Sequence, residues 1–228
     1  MRLALFDIDG TLITDDGAAR TAFGDALVAV YGYDGDLARY DFSGRTDPQI
    51  AYMILRDTGL SDEAIAAKLD AMWDHYLTGL ARNATADRVR VLPGMRELLA
   101  VLAKRDDVTI ALLTGNLERG ARLKLGPTGL SPYFPFGAFG SDSMHREELP
   151  PIAVARANAA NGQHFHGRDV VILGDSIYDV RCGVPHGATT IAIASGKTSA
   201  ERLQAENPSH FFTDARDTEG LVSAILGS

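Results

Sequence analysis

An α/β fold, with a parallel sheet covered by helices on both faces, is predicted by three features of this sequence. Short apolar runs alternate with helix-length segments from residue 87 onward. The runs Leu3–Phe6, Val108–Leu113, Val170–Leu173 and Ala188–Ala194 are apolar almost throughout, as strands buried on both faces are. Polar, chemistry-bearing residues stand directly after several of these runs. Ligand-binding loops occupy that position at the carboxyl ends of parallel strands.

The elements follow in order. Arg2 to Phe6 is the opening strand. Residues 14–86 hold no convincing buried strand and read as an all-helical insertion. Phe23, Leu27, Val30 and Tyr31 lie at helical spacing, and Pro48 to Arg56 is a further helical run. Ile65, Leu69, Met72, Tyr76 and Leu80 mark one more helix, with Asp62 and Glu63 suited to its first turn through the macrodipole. Trp73 and the insertion's tyrosines read as core. Leu92-Pro93-Gly94 opens a helix to about Lys104, and Val108–Leu113 is the next strand. A helix over Leu117–Leu125, a weak strand over Phe136–Phe139 and a helix over Leu149–Ala160 come next, with Pro150 and Pro151 tolerated in the first turn. Then come a strand (Val170–Leu173), a short helix (Ile177–Val184) and a strand (Ala188–Ala194). Phe211-Phe212 is an edge strand before a terminal helix. The alternation implies a Rossmann-like core of residues 1–13 and 87–228. The small helical domain of residues 14–86 is inserted into it.

The chain has 228 residues, of which 46% are hydrophobic, enough for a sizeable core. Its net charge is −8, and the insertion carries 12 acidic against 6 basic residues. That balance excludes nucleic acid as an expected partner, since phosphate-backbone binding rests on Lys and Arg. A single cysteine, Cys182, allows no internal disulfide and no multi-cysteine zinc site; it reads as a small buried apolar side chain. No apolar run reaches about 18 residues, so no membrane span is expected. One Arg and then aspartates within the first ten residues do not fit a signal peptide. A soluble cytoplasmic protein, monomer or homodimer, is expected.

Four polar stretches carry candidate chemistry: Asp7-Ile8-Asp9-Gly10-Thr11, Thr114-Gly115-Asn116, Arg146, and Gly174-Asp175-Ser176 with Asp179. Taken singly each has an ordinary reading, as a capped turn, a helix entry or a solvated charge. Their occurrence in order, after successive strands, gives them a joint one. For a phosphate ester, Asp7 can attack phosphorus as a carboxylate nucleophile. Asp9 can protonate the leaving oxygen and then deprotonate water. A cation must separate carboxylate from phosphate, and Mg²⁺ suits an all-oxygen site. Asp7 and Asp175, a backbone carbonyl near Asp9, and Asp179 through a water or by orienting Asp175 would provide it. The Thr114 hydroxyl, with the N–H groups of Thr114, Gly115 and Asn116, forms an anion site. Arg146 balances the negative charge on Asp7 and the phosphoryl oxygens.

With these residues in hand, the chain resembles the haloacid dehalogenase (HAD) superfamily of aspartyl-phosphate phosphohydrolases. DIDGT (Asp7–Thr11) matches the first motif, LLTGN ending at Asn116 the second, and GDSIYD (Gly174–Asp179) the fourth. A Gly183…Gly187 pattern also looks like the family, and the insertion sits where the family's helical cap does. The third motif departs: the family usually has Lys, often before Pro, whereas Arg146 stands here in HREELP. Arg keeps the charge but is bulkier and binds in a fork. Lys124, on the neighbouring helix, is the alternative holder of that role.

The resemblance implies a Mg²⁺-dependent phosphatase acting on a small phosphorylated metabolite, with Asp7, Asp9, Thr114 and Arg146 catalytic. Gly10, Thr11, Gly115 and Asn116 would bind substrate, and Asp7, Asp9, Asp175 and Asp179 would hold the metal. Asp9 favours phosphoryl chemistry over dehalogenation, since halide needs no proton. The loop Phe42–Asp47 looks like the cap loop of phosphoglycolate phosphatase-like members. Arg45 would close over the substrate there, or else pair with Asp41 or Asp47. A sugar phosphomutase of the same superfamily and a low-activity binding or regulatory member are the alternatives.

Overall fold

Side chains alternate across the first strand, and that alternation builds two faces. In β1 (Arg2–Phe6), Leu3 and Leu5 enter one apolar cluster while Ala4 and Phe6 enter another. This is the period of two that strand geometry imposes. The computed structural model describes Met1–Gly227; Ser228, the end of the expected core segment, lies outside the described residues.

Beyond β1 the chain runs through β2 (Ile13–Thr14), α1 (Ala18–Tyr31), α2 (Asp47–Arg56), α3 (Asp62–Ala66), α4 (Leu69–Asn83) and β3 (Arg90–Val91). It continues with α5 (Met95–Leu102), β4 (Val108–Leu113), α6 (Glu118–Leu125), β5 (Gly137–Ala138), α7 (Leu149–Asn161) and β6 (Val170–Gly174). The last elements are α8 (Ile177–Gly183), β7 (Thr189–Ile193), α9 (Ala200–Ala205), β8 (His210–Phe212) and α10 (Thr218–Leu226). Six strands form one parallel sheet in the order β5-β4-β1-β6-β7-β8. β1 lies between β4 and β6, with Phe6 opposite Leu112 on one side and Leu173 on the other. The chain leaves β1 toward one neighbour and later returns to the other. That arrangement opens a crevice at the strands' carboxyl ends.

Helices α7 and α8 cover the face of Leu3 and Leu5 through Ala153, Ala157 and Cys182. Helices α5 and α10 cover the opposite face through Leu98, Leu99, Leu102, Leu221 and Ile225. The insertion shares this second cluster. Its α1 and α4 pack through Ala22, Phe23, Ala26 and Leu27 against Met72, Tyr76 and Leu80. Phe23 meets the Tyr76 ring edge-on at 5.3 Å, a favourable quadrupolar arrangement.

The expected single helix over Ile65 to Leu80 is two helices, α3 and α4. A continuing helix would direct the Leu69 N–H to the Ile65 carbonyl. That carbonyl instead accepts the Tyr31 hydroxyl at 2.6 Å and the Lys68 N–H at 3.2 Å. Two short strands that the sequence did not announce, β2 and β3, pair antiparallel, Ile13 with Val91 and Thr14 with Arg90. This ribbon carries the chain into and out of the helical insertion. The short helix α9 was also unannounced, and the expected strand over Phe136–Phe139 is trimmed to Gly137–Ala138.

Candidate active site

The turn after β1 is built so that two carboxylates diverge. Asp7 continues the sheet pattern, its N–H donating to the Leu173 carbonyl at 3.0 Å. The chain then turns through Gly10, at φ 86°. A side chain at Gly10, or at Gly196 in the loop after β7, would overlap the Asp175 carboxylate, so glycine is required for the close approach. Ser195 Oγ donates to the Gly10 carbonyl at 2.7 Å and ties the two loops together.

Asp7 enters a buried acidic group with Asp175 and Asp179, whose carboxylate oxygens lie within 4.8 Å of one another. Arg146, itself 4% exposed, is set among them from the 3₁₀ turn that precedes α7. It reaches Asp7 Oδ1 at 3.2 Å and donates to Asp179 Oδ1. Asp179 is held a second time, by the N–H of Ser176 at 2.9 Å and its hydroxyl at 2.6 Å, the capping box of α8. Asp175 accepts the Thr11 hydroxyl at 3.1 Å.

Three carboxylates against one guanidinium leave this group short of positive charge. Burial pushes Asp7 up to about 7, against the opposing pull of Arg146 and with help from Asp179 and Asp9. Burial, with Asp7 and Asp179, also holds Asp175 well above the ordinary carboxylate range. A divalent cation would reverse both shifts. The donors are all oxygen, two of the carboxylates line the open cavity, and Gly10 and Gly196 leave room at Asp175. The site therefore fits a hard cation such as Mg²⁺.

Asp9 points away from this group. Its Oδ2 accepts from Asn116 Nδ2 at 2.7 Å and from Lys124 Nζ at 2.7 Å. Lys124 also donates to Asn116 Oδ1 at 2.6 Å, and Asn116 Nδ2 donates to Thr114 Oγ1 at 2.8 Å. Burial works against the Lys124 ammonium, but Asp9, Tyr76, Asp15 and Asp47 outweigh it and keep its pKa above the ordinary value. Arg146 and Lys124, read from the sequence as alternatives for one position, thus occupy two: Arg146 on Asp7, Lys124 on Asp9.

Around them is a cavity of about 510 Å³ whose wall includes Asp7, Asp9, Gly10, Thr114, Gly115, Asn116, Arg146, Asp175 and, from the insertion, Arg45. Two sequence expectations need correction. Thr11, expected to touch substrate, is fully buried, does not line the cavity and is spent on Asp175. The Thr114 N–H, expected in an anion site, donates to the Ala138 carbonyl at 3.0 Å in the sheet. Its hydroxyl oxygen already accepts from Asn116, so its proton is what it can offer a ligand.

The loop of Arg45 lies directly on the core. Its backbone leaves no room for a side chain at Gly115. Arg45 Nε donates to the Asp41 carbonyl at 3.1 Å, and its guanidinium lies over the Tyr178 ring at 5.1 Å. Among the described residues it forms a salt bridge with neither Asp41 nor Asp47. Asp47 was missed as a site residue. It sits in the first turn of α2 and is 7% exposed; its N–H donates to Gly115 O at 2.7 Å and its Oδ2 accepts the Leu117 N–H at 2.8 Å. Burial lifts it to about 6. The Thr-Asp-Pro helix entry in the sequence was the available signal, since Asp in a first turn beside an N-cap Thr is aimed at N–H groups. Tyr76, read as core, both packs on Phe23 and lines the cavity.

The family model described as haloacid dehalogenase-like hydrolase matches residues 4–183. The chain belongs to the haloacid dehalogenase-like hydrolases. A second model of this kind, HAD-hydrolase-like, matches residues 150–218. No curated protein matches. Solved structures share the architecture along the chain. A hydrolase from Pseudomonas syringae is 20% identical, with a TM-score of 0.76 over 99% of both chains. A predicted phosphoglycolate phosphatase from Haemophilus somnus is 16% identical, with a TM-score of 0.73, over 97% of this chain and 98% of the other. A candidate β-phosphoglucomutase from Bacteroides vulgatus is 18% identical, with a TM-score of 0.72, over 100% of this chain and 89% of the other. At these identities the likeness is one of fold. Among the described residues of this HAD-like hydrolase, no helix is long and apolar enough to cross a membrane.

Proposed function

We propose that this HAD-like hydrolase is a Mg²⁺-dependent phosphatase of a small phosphorylated metabolite, working through an aspartyl phosphate on Asp7. The observation that carries the reading is the division of the turn after β1. Asp7 lies with Arg146 in a buried carboxylate group, and Asp9 is held apart from it by Lys124 and Asn116. Two carboxylates with different surroundings take different roles.

Asp7, Asp175 and a carbonyl near Asp9, with Asp179 behind them, would hold the metal. When bound, it supplies the positive charge that lets an anionic carboxylate approach an anionic phosphoryl group. An Asp7 oxygen bonds to phosphorus as the bond to the leaving oxygen breaks. Asp9 gives that oxygen its proton. Asp9 then takes a proton from water, whose oxygen displaces the phosphoryl group from Asp7 and frees phosphate. Arg146, the Thr114 hydroxyl and the Gly115 N–H bind phosphoryl oxygens. Residues 14–86 act as a cap that excludes water during the first transfer, with Arg45 facing the rest of the substrate.

The test is phosphate release from a panel of small phosphoesters, phosphoglycolate included, with and without Mg²⁺. Isomerisation of a sugar phosphate with little free phosphate would identify the phosphomutase alternative. Activity insensitive to chelator would sink the mechanism.

A further inference from the structure

Two buried cations stand in the cavity wall, and only one of them meets Asp7. A buried ammonium is costly unless it is paired and hydrogen-bonded. Lys124 is 3% exposed, and its two bonds run to Asp9 Oδ2 at 2.7 Å and Asn116 Oδ1 at 2.6 Å. The amide of Asn116 is thereby oriented, its oxygen toward Lys124 and its nitrogen toward Asp9 Oδ2 at 2.7 Å and Thr114 Oγ1 at 2.8 Å. The three side chains close a triangle in which both donors land on the same carboxylate oxygen. Asp9 is otherwise the open member of the group, its side chain 42% exposed on the cavity. No bond to its Oδ1 is formed among the described residues.

We infer that Lys124 is a positioning residue for the acid–base step. With Asn116 it anchors Asp9 by Oδ2, so that Oδ1 is the oxygen that exchanges protons with the leaving group and with water. The inference rests on the phosphatase reading above. The steps balance on one atom. Oδ1 releases its proton to the leaving oxygen as the bond from that oxygen to phosphorus breaks. It then takes a proton from water as the new oxygen–phosphorus bond forms and Asp7 is released. An unanchored Asp9 would rotate and present either oxygen, or neither, at the distance that proton transfer requires.

A lysine that merely braces α6 would, when removed, slow every substrate alike. A lysine that aims the acid matters only where the leaving oxygen needs a proton. The experiment compares kcat/KM of the wild type and Lys124→Met, in Mg²⁺, on an alkyl phosphate and on 4-nitrophenyl phosphate, whose phenolate leaves unprotonated. The ratio kcat/KM reports the first transfer and not the later release of phosphate. The expected loss on the alkyl ester is on the order of 10²–10³-fold, within the range for general acid catalysis, with a loss at least about tenfold smaller on the aryl ester. Equal losses on both esters, or none, overturn the assignment. The crystal structure of the variant is a second readout: Asp9 should leave Asn116, and an unmoved Asp9 also overturns it. Lys124→Gln, which keeps a donor without the charge, replaces the methionine variant if that does not fold. A wild type that releases phosphate from no ester overturns the phosphatase reading itself. An active wild type with equal losses removes only the role of Lys124.

Discussion

The Asp47 carboxylate, on the helical insertion, accepts the backbone N–H of Leu117, at the entry to α6 of the core, at 2.8 Å. Two further bonds flank it: Asp47 N–H to the Gly115 carbonyl at 2.7 Å and the Thr46 hydroxyl to the Met144 carbonyl at 2.8 Å. The insertion is thus fastened to the loop beside Asn116 by backbone groups, which demand partners when buried.

Asp47→Ala leaves the Leu117 N–H without its acceptor in this closed arrangement. An unsatisfied buried donor costs about 1–3 kcal/mol. The expected result is a lower melting temperature together with a raised KM, since the loop carrying Arg45 is loosened. Thermal unfolding and steady-state kinetics check both. Unchanged values in both would show that the fastening carries no energy.

Arg146→Ala removes the one guanidinium from the Asp7–Asp175–Asp179 group. Breaking a buried ion pair from one side costs about 3–5 kcal/mol. Denaturant unfolding should show a loss of that size in metal-free protein, with turnover abolished. Mg²⁺ should restore part of the stability and none of the turnover. Arg146→Lys should retain more of both, because a single Arg146 nitrogen, Nη2, makes both contacts, to Asp7 and to Asp179, and an ammonium keeps one charged nitrogen.

Stability of the metal-free protein should fall as pH rises from about 4 to about 7. The sign follows from Asp7, raised from 3.8 to about 7, and from Asp175, also raised. In that interval the unfolded chain has released protons that the folded chain still holds, so each rise in pH favours unfolding. Melting temperatures at pH 5 and pH 7.5 measure it. The difference should shrink in Asp7→Asn and on addition of Mg²⁺, which binds the ionised folded form. A melting temperature higher at pH 7.5 than at pH 5 would contradict the assignment.

Asp7→Asn should lower turnover by on the order of 10⁴–10⁶-fold, the scale for losing a member of a nucleophilic unit. Labelling with radioactive phosphoester should mark the wild type at Asp7 and leave the variant unmarked.

The parallel strands were legible because burial on both faces demands near-continuous apolar runs, and Val108–Leu113 and Val170–Gly174 are such runs. The carboxylates of the site were legible because they stand directly after those runs. What could not be read depends on contacts between distant segments. The break between α3 and α4 falls where the Ile65 carbonyl accepts the hydroxyl of Tyr31, on another helix. The Thr114 N–H was assigned to a ligand because nothing local shows that β5 takes it. Ile13–Thr14 and Arg90–Val91 are too short to display a period. Whether Lys124 or Arg146 faced Asp7 turned on which way a helix and a 3₁₀ turn point, a tertiary fact.

The ribbon of β2 and β3 also bears on how the chain reaches its fold. β1 must pair with β4, far along the chain, and the whole insertion lies between them. Bringing remote segments together costs loop entropy and slows folding. Once Ile13 meets Val91, the insertion becomes a side branch, and the path from β1 to β4 contracts to the short stretches outside the ribbon. A pairing of four residues therefore lowers the effective contact order of the sheet's central strands. It lets a large helical unit be carried in the middle of a parallel sheet without delaying the register of the strands that hold Asp7 and Thr114.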